Sequence, residues 1–260
     1  MLLAIDAGNS RISFGIFDED RLVKTFKLPS QKEYTIEDYS EQIKGFISEE
    51  INECIISSVV SELDKILQET ILNTFGVHAL IFSTNLNCGI KLNIENPQTV
   101  GVDRIANAVC AKKIYKAPII VVDAGTATTF DIINTDGEFI GGAIMPGVNI
   151  QLKSLSSNTS KLPNLDIGMT SRAIGDNTRE AILSGVIRGS AYAIDGIINA
   201  SNIELNQQAF LVGTGGDIEL LSQYMNTKFD IINPNLTLEG LKILHDINNV
   251  KLKIYPPRYF

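Results

Sequence analysis

At 260 residues, with 44% hydrophobic and 20% charged side chains, the chain can bury a core large enough for one big domain or two related halves. A net charge of −8 excludes the basic surface on which nucleic-acid or anionic-membrane affinity depends, so any phosphate must be bound by local groups. Two histidines and three scattered cysteines, Cys54, Cys88 and Cys110, exclude a His-rich metal site and a disulfide scaffold. With no basic leader-like stretch at the start and no apolar run near the roughly 18 residues of a membrane helix, a soluble cytoplasmic protein without a membrane span is expected.

Leu2 to Ile5 predicts a buried strand, and Asp6-Ala7-Gly8-Asn9-Ser10 emerges from its carboxyl end as a tight turn. Ile12 to Phe17 alternates as a second strand, Asp18-Glu19-Asp20 turns the chain, and Leu22 to Leu28 returns antiparallel. Thr35-Ile36-Glu37-Asp38 reads as a capping box opening a helix whose apolar face carries Ile36, Tyr39, Ile43, Phe46 and Ile47. Cys54 to Val60 follows as a strand, Ser61 opens a helix with Leu63, Ile66, Leu67 and Ile71 inward, and Ala79 to Phe82 is a further strand.

The layout then recurs. Ile119 to Val122 predicts a buried strand, Asp123-Ala124-Gly125-Thr126-Ala127 leaves its end, and Thr129 to Ile133 and Glu138 to Ile144 form the hairpin around Asn134-Thr135-Asp136-Gly137. Ser154 to Asn177 reads as a long loop, and Thr178 to Ala200 as a long helix. Gly185, Gly189, Ala193 and Gly196 lie near one stripe of that helix, which suits close packing on the sheet or a subunit contact. Ala209 to Val212 is a strand ahead of Gly213-Thr214-Gly215-Gly216. The expectation is an α/β protein of two duplicated halves, residues 1–115 and 116–260, facing each other so that the two turns line one cleft with two carboxylates.

One Asp-x-Gly-[Ser/Thr] turn is ordinarily only a turn. Two in matching contexts point to a site. The small residues let backbone amides and hydroxyls approach an anion, and a carboxylate is a hard oxygen ligand, so phosphate with a cation is the natural occupant. A third run, Gly101-Val102-Asp103-Arg104, stands at a Gly-led helix start. It reads either as a cap with its ion pair or as a general base, Asp103, beside an anchor for a substrate carboxylate, Arg104.

Asp6-x-Gly-Asn-Ser, Gly101-x-Asp-Arg, Asp123-x-Gly-Thr-Ala-Thr-Thr-x-Asp131, Gly141-Gly-x-Ile-x-Pro-Gly147, Thr214-Gly-Gly and Pro234-Asn-Leu-Thr-Leu-Glu-Gly-Leu together resemble type III pantothenate kinases, in that family's motif order from Met1 to about Leu244. The resemblance implies two ribonuclease H-like half-domains of the actin-like ATPase fold, shared with acetate and sugar kinases and heat-shock chaperones, and usually a homodimer. It implies phosphorylation of pantothenate by ATP, the first step towards coenzyme A, with Mg2+ or Mn2+ and a monovalent cation, K+ or NH4+. By position, Asp6, Ala7, Gly8, Asn9, Ser10, Arg11, Ile12 and Ser13 would form the first nucleotide loop, with Asp6 on the divalent metal and Asn9 near the transferring group. Asp103 would accept the proton, Gly101, Val102, Arg104 and Thr178 would touch pantothenate, Asp123 would hold the monovalent cation and Thr126 the phosphates. Thr178 alone reads as a helix N-cap.

Three positions depart from the family pattern. Ile94 stands where many members carry a tyrosine against the substrate, Val102 replaces an alanine, and Ser13 stands where some members have a lysine. Two other functions fit parts of the pattern: a related small-molecule kinase, and a regulatory accessory protein of the same lineage. The second would be expected to lose a catalytic aspartate, and Asp6, Asp103 and Asp123 are all present.

Overall fold

The computed structural model describes the backbone of residues 1–254 and the side chains of residues 1–249. The chain divides into two compact units: Met1–Lys91 with Glu95–Lys113 and the chain from Asn235 onward, and Leu92–Ile94 with Ile114–Pro234. The contiguous halves 1–115 and 116–260 therefore differ from the observed division by a two-residue shift of the boundary, to Lys113/Ile114, and by two exchanged segments. The last helix, α8 (Leu236–Ile254), returns to the first unit, and Leu92–Ile94 runs along the second unit's sheet, where the Asn93 amide donates to the Phe139 carbonyl (2.8 Å).

The first unit is a five-stranded sheet in the order β3-β2-β1-β4-β5, from β1 (Leu2–Ala7), β2 (Arg11–Asp18), β3 (Arg21–Pro29), β4 (Glu53–Ser58) and β5 (Leu80–Ile81). The hairpin partners pair antiparallel, and β4 lies parallel to β1 on its other side. In β1 only Asp6 escapes burial, so the carboxylate reaches solvent one residue before the strand's end. On one face Leu3, Ile5, Ile12, Phe14 and Ile56 pack with Tyr39 and Ile43 of α1 (Ile36–Phe46) and Leu63, Leu67 and Ile71 of α2 (Ser61–Phe75). The expected capping box opens α1: the Thr35 hydroxyl accepts from the Asp38 amide, and the Asp38 carboxylate accepts from the Thr35 amide (2.8 Å). α8 packs against β1, β4 and β2, with Leu238 beside Gly15.

The second unit repeats the order, β8-β7-β6-β9-β10, from β6 (Ile119–Ala124), β7 (Ala127–Ile133), β8 (Phe139–Pro146), β9 (Phe210–Thr214) and β10 (Ile231–Ile232). β6 carries the same burial pattern as β1, and both hairpins are bulged at corresponding places, Ile16/Phe17 and Ile132/Ile133. α4 (Val148–Ser157) occupies the start of the stretch read as loop, so irregular chain begins only at Asn158. It is pinned at Thr170, whose amide donates to the Tyr224 hydroxyl (3.0 Å) while that hydroxyl donates back to the Thr170 carbonyl (3.1 Å).

The long helix is three pieces in one run: α5 (Thr178–Leu183), a π-turn over Ser184–Arg188, and α6 (Gly189–Glu204). By length and mean composition Thr178–Glu204 could cross a membrane, although Arg179, Glu180, Arg188 and Asp195 break its apolar run as the sequence reading has it, and 56% of its most apolar window is buried within the protein. Ile182, Leu183, Ile187, Ile194 and Ile198 supply that burial. The glycines do not. A methyl group added at Gly185, Gly189 or Gly196 meets nothing within 4 Å, so close packing on the sheet is not their purpose.

His245 of α8 is 5% exposed, with Nδ1 3.6 Å from Asp246 Oδ1 and Nε2 4.0 Å from Glu53 Oε2. Burial lowers its pKa from 6.5, outweighing the pull of Glu53 and Asp246, and Lys242 adds to the lowering. The folded state thus binds fewer protons at this site than the unfolded chain, so its contribution is complete above pH 6.5 and is lost as pH falls. Urea midpoints should fall as pH drops below 6.5, and a His245→Gln variant should show a shallower fall.

Candidate active site

In the first unit Asp6 is the half-buried fifth residue of β1, opposite Ser13 on β2 and Ser57 on β4. The buried Ser57 hydroxyl donates to Asp6 Oδ1 (3.3 Å), a contact that sequence reading missed although the Ser57-Ser58 end of a buried strand was its signal. The Gly8 amide closes the following turn on the Arg11 carbonyl (3.0 Å). Asn9, Ser10 and Arg11 are exposed, while Ala7 and Ile12 are buried and anchor the turn at both ends. Ser13 is half-buried.

The second unit has the equivalent turn one residue shorter. The Gly125 amide donates to the Ala127 carbonyl (3.0 Å), Thr126 is exposed, and Asp123 is the half-buried fifth residue of β6, opposite Thr129 and Thr214. Two further chain segments cross this turn so closely that only glycine fits. A side chain on Gly147 would overlap the Gly125 and Thr126 carbonyl oxygens, and one on Gly215, at φ +91°, would overlap the Ala124 carbonyl and Asp123 Oδ1. The Gly147 amide donates to the Thr126 carbonyl (3.1 Å), and the Asp217 amide to that of Ala124 (3.0 Å). Gly147 and the Thr214-Gly215-Gly216 motif thus act as walls of the Asp123 turn.

α3 (Val102–Ile114), in the first unit, carries the third run. Gly101 precedes it, and the Ile105 amide bonds back to the Gly101 carbonyl (3.2 Å). Asp103 Oδ1 accepts from the Arg104 amide (2.8 Å), and its carboxylate folds over Gly101 closely enough that a methyl group there would collide with Oδ1. Among the described residues Oδ2 receives no hydrogen bond. Gly101, Val102, Asp103 and Arg104 are all half-buried, so they share one turn that solvent and a ligand can reach.

The predicted residues thus fall into two sets: Asp6 to Ser13 and Gly101 to Arg104 in the first unit, Ile94, Asp123, Thr126 and Thr178 in the second. Ile94 is half-buried beside Gly141 of β8. Thr178 is exposed as the first residue of α5 rather than its cap; Asn177 caps it, its Oδ1 accepting from the Glu180 amide (3.0 Å). No group of three or more His, Cys, Asp or Glu side chains among the described residues could enclose a metal ion. Mg2+ is ordinarily held by one or two carboxylates together with substrate phosphates and water, and Asp6 beside an exposed turn is a carboxylate that could serve in that way.

Two sheets of the same strand order, each with a carboxylate at the end of its central strand and a small-residue turn beyond it, define the duplicated ribonuclease H-like architecture of the actin-like ATPases. A protein from Campylobacter jejuni described as a conserved candidate transcriptional activator of the Baf family has this fold (TM-score 0.61, 24% identity, covering 95% of this chain and 99% of that one). Within that architecture the chain belongs to the type III pantothenate kinase family, whose profile matches residues 2–200. It is 36% identical over 255 residues to the type III pantothenate kinase of Dehalococcoides mccartyi (strain CBDB1), covering 96% of this chain and 97% of that protein. It is 37% identical over 254 residues to that of Moorella thermoacetica, covering 95% and 100%.

The two glycines predict opposite results. At Gly215 the obstacle is backbone and φ is positive, so Gly215→Ala should lower unfolding free energy by more than about 1 kcal/mol. At Gly101 the obstacle is a carboxylate that can rotate away, so Gly101→Ala should change stability by less than about 0.5 kcal/mol while displacing Asp103. Urea denaturation and a crystal structure of the second variant check both.

Proposed function

We infer that this protein transfers the γ-phosphoryl group of ATP to the primary hydroxyl of pantothenate, the first step of coenzyme A synthesis, with Asp103 as the proton acceptor. Membership of the type III pantothenate kinase family supports the reaction. The observation that supports the base is the half-tethered carboxylate: Oδ1 is fixed by the Arg104 amide and Oδ2 has no protein partner among the described residues. In the proposed step the substrate hydroxyl oxygen forms a bond to γ-phosphorus, its proton passes to Asp103, and the bond to the ADP oxygen breaks. Arg104 anchors the pantothenate carboxylate, while Gly101, Val102, Thr178, Asn9 and Ile94 complete the substrate contacts.

The turn from Asp6 to Ser13 and the Thr126 hydroxyl hold the nucleotide phosphates. Asp6 would carry the divalent cation, Mg2+ or Mn2+, whose contribution is to neutralise phosphate charge. Asp123 would carry K+ or NH4+. Ile94 and Ser13 supply neither an aromatic face nor a cation, so substrate and phosphate recognition rests on the remaining groups. A cytoplasmic location fits this chemistry and the free thiols Cys54, Cys88 and Cys110.

The active form is a homodimer in this reading, with α6 as a contact. Its open glycines carry no Cβ, and Tyr192 and Ile203 of the same helix are 48% and 75% exposed, a surface that a second copy would cover.

Purified protein with ATP, Mg2+ and pantothenate should form 4'-phosphopantothenate in K+ or NH4+ and little in Na+; no product under any cation would overturn the reading. Asp103→Asn should lose about 10²-fold or more in kcat while retaining ATP binding by calorimetry. Sedimentation should give a dimer for the wild type and a shift to monomer for Gly189→Leu; a wild-type monomer would remove α6 from this role.

A further inference from the structure

The tail motif Pro234-Asn-Leu-Thr-Leu-Glu-Gly-Leu has no part in the chemistry above, and its place in the fold suggests why it is there. It opens α8, with the Glu239 amide bonded to the Asn235 carbonyl (3.0 Å). Its first turn and a half meets α3 at three successive points. The Thr237 hydroxyl donates to Asn107 Oδ1 (2.7 Å), where Asn107 is 1% exposed. Gly240 lies on the Ala106 carbonyl so closely that a Cβ there would overlap it. The Cys110 thiol donates to Glu239 Oε2 (3.6 Å).

These α3 residues stand three, four and seven positions after Asp103, which places them on the helix stripe that begins with Asp103 itself. A hydrogen bond at one end of the contact and a backbone-limited approach beside it fix both the rotation and the axial position of α3. Apolar packing alone would leave such a helix freer to slide, because it has no direction. We propose that α8 is the positioning element for the proton acceptor, with Thr237 acting through Asn107 to hold the first turn of α3, and so Asp103, in register. Thr237 touches no reacting atom in this account. The proposal rests on the reading of Asp103 as base, and the effect expected is on turnover, since small misplacements of a catalytic group lower kcat steeply.

The test compares Thr237→Val, which keeps shape and removes the donor, with Thr237→Ser, which restores it, and with Tyr39→Phe. The last removes a buried hydroxyl of α1 that bonds to Gln31 (2.9 Å) and serves as a purely structural control. Thr237→Val should lose about tenfold in kcat with KM for ATP and pantothenate within about twofold. Amide hydrogen exchange over residues 102–106 should rise, and Thr237→Ser should recover both. Tyr39→Phe should lower thermal stability with kcat intact. Wild-type kcat and unchanged exchange in Thr237→Val, or an equal loss of kcat in Tyr39→Phe, would overturn the proposal. An inactive wild type would instead overturn the functional reading, and the exchange data would still decide whether Thr237 holds α3.

Discussion

The structure depends on a carboxylate that cannot be buried. In β1 and again in β6, four fully buried residues precede an aspartate, and an ionised group placed one step earlier would face a desolvation cost of several kcal/mol with no partner to offset it. Each strand therefore runs only one residue further, to the buried Ala7 and Ala124, before the chain turns. The parallel neighbour ends at the same level and presents a hydroxyl residue opposite each aspartate, Ser57 in one unit and Thr214 in the other. Strand register, set by the hydrophobic pattern, thereby decides what surrounds each carboxylate.

The two turns then differ in how they are supported. The first is a three-residue excursion between β1 and β2 that leaves Asn9, Ser10 and Arg11 exposed. The second is shorter and is walled by Gly147 and Gly215, each pressed onto a carbonyl of the turn. A shorter turn offers fewer side chains to a ligand but a more rigid backbone, since two crossing segments hold it. The duplication has thus kept the carboxylate and its strand while changing the length and support of the turn.

Much of this was legible from the sequence because it follows from local rules. Alternation exposed the hairpins, the Thr35/Asp38 box fixed the start of α1, and the repeated Asp-x-Gly turns marked both strand ends. The rest depends on partners distant in sequence. Nothing near residue 236 says that α8 covers β1 rather than the nearer β9, because an amphipathic helix does not name the sheet it will cover. Asn177 and Thr178 are both competent caps, and only the bond to the Glu180 amide separates them. The glycines of α6 read as close-packing residues, yet spacing cannot reveal that they face open space. The individual roles proposed for Asp6, Asp123 and Thr126 rest on the family resemblance and the residue types.

The three aspartates illustrate how environment assigns chemistry to one residue type. Asp6 and Asp123 sit near strand ends, opposite hydroxyl-bearing neighbours and followed by turns suited to anions, which is the setting in which each is proposed as a cation ligand. Asp103 sits in the first turn of a helix with one oxygen tied to a backbone amide and the other unengaged by protein, so it is oriented without being saturated. A proton acceptor needs that combination, because a fully hydrogen-bonded carboxylate has no lone pair to offer and an untethered one has no fixed direction. Orientation in turn requires a helix that does not slide. A close inter-helix approach falls one turn behind Asp103, at Ala106 and Asn107, where support reaches Asp103 over a short length of backbone.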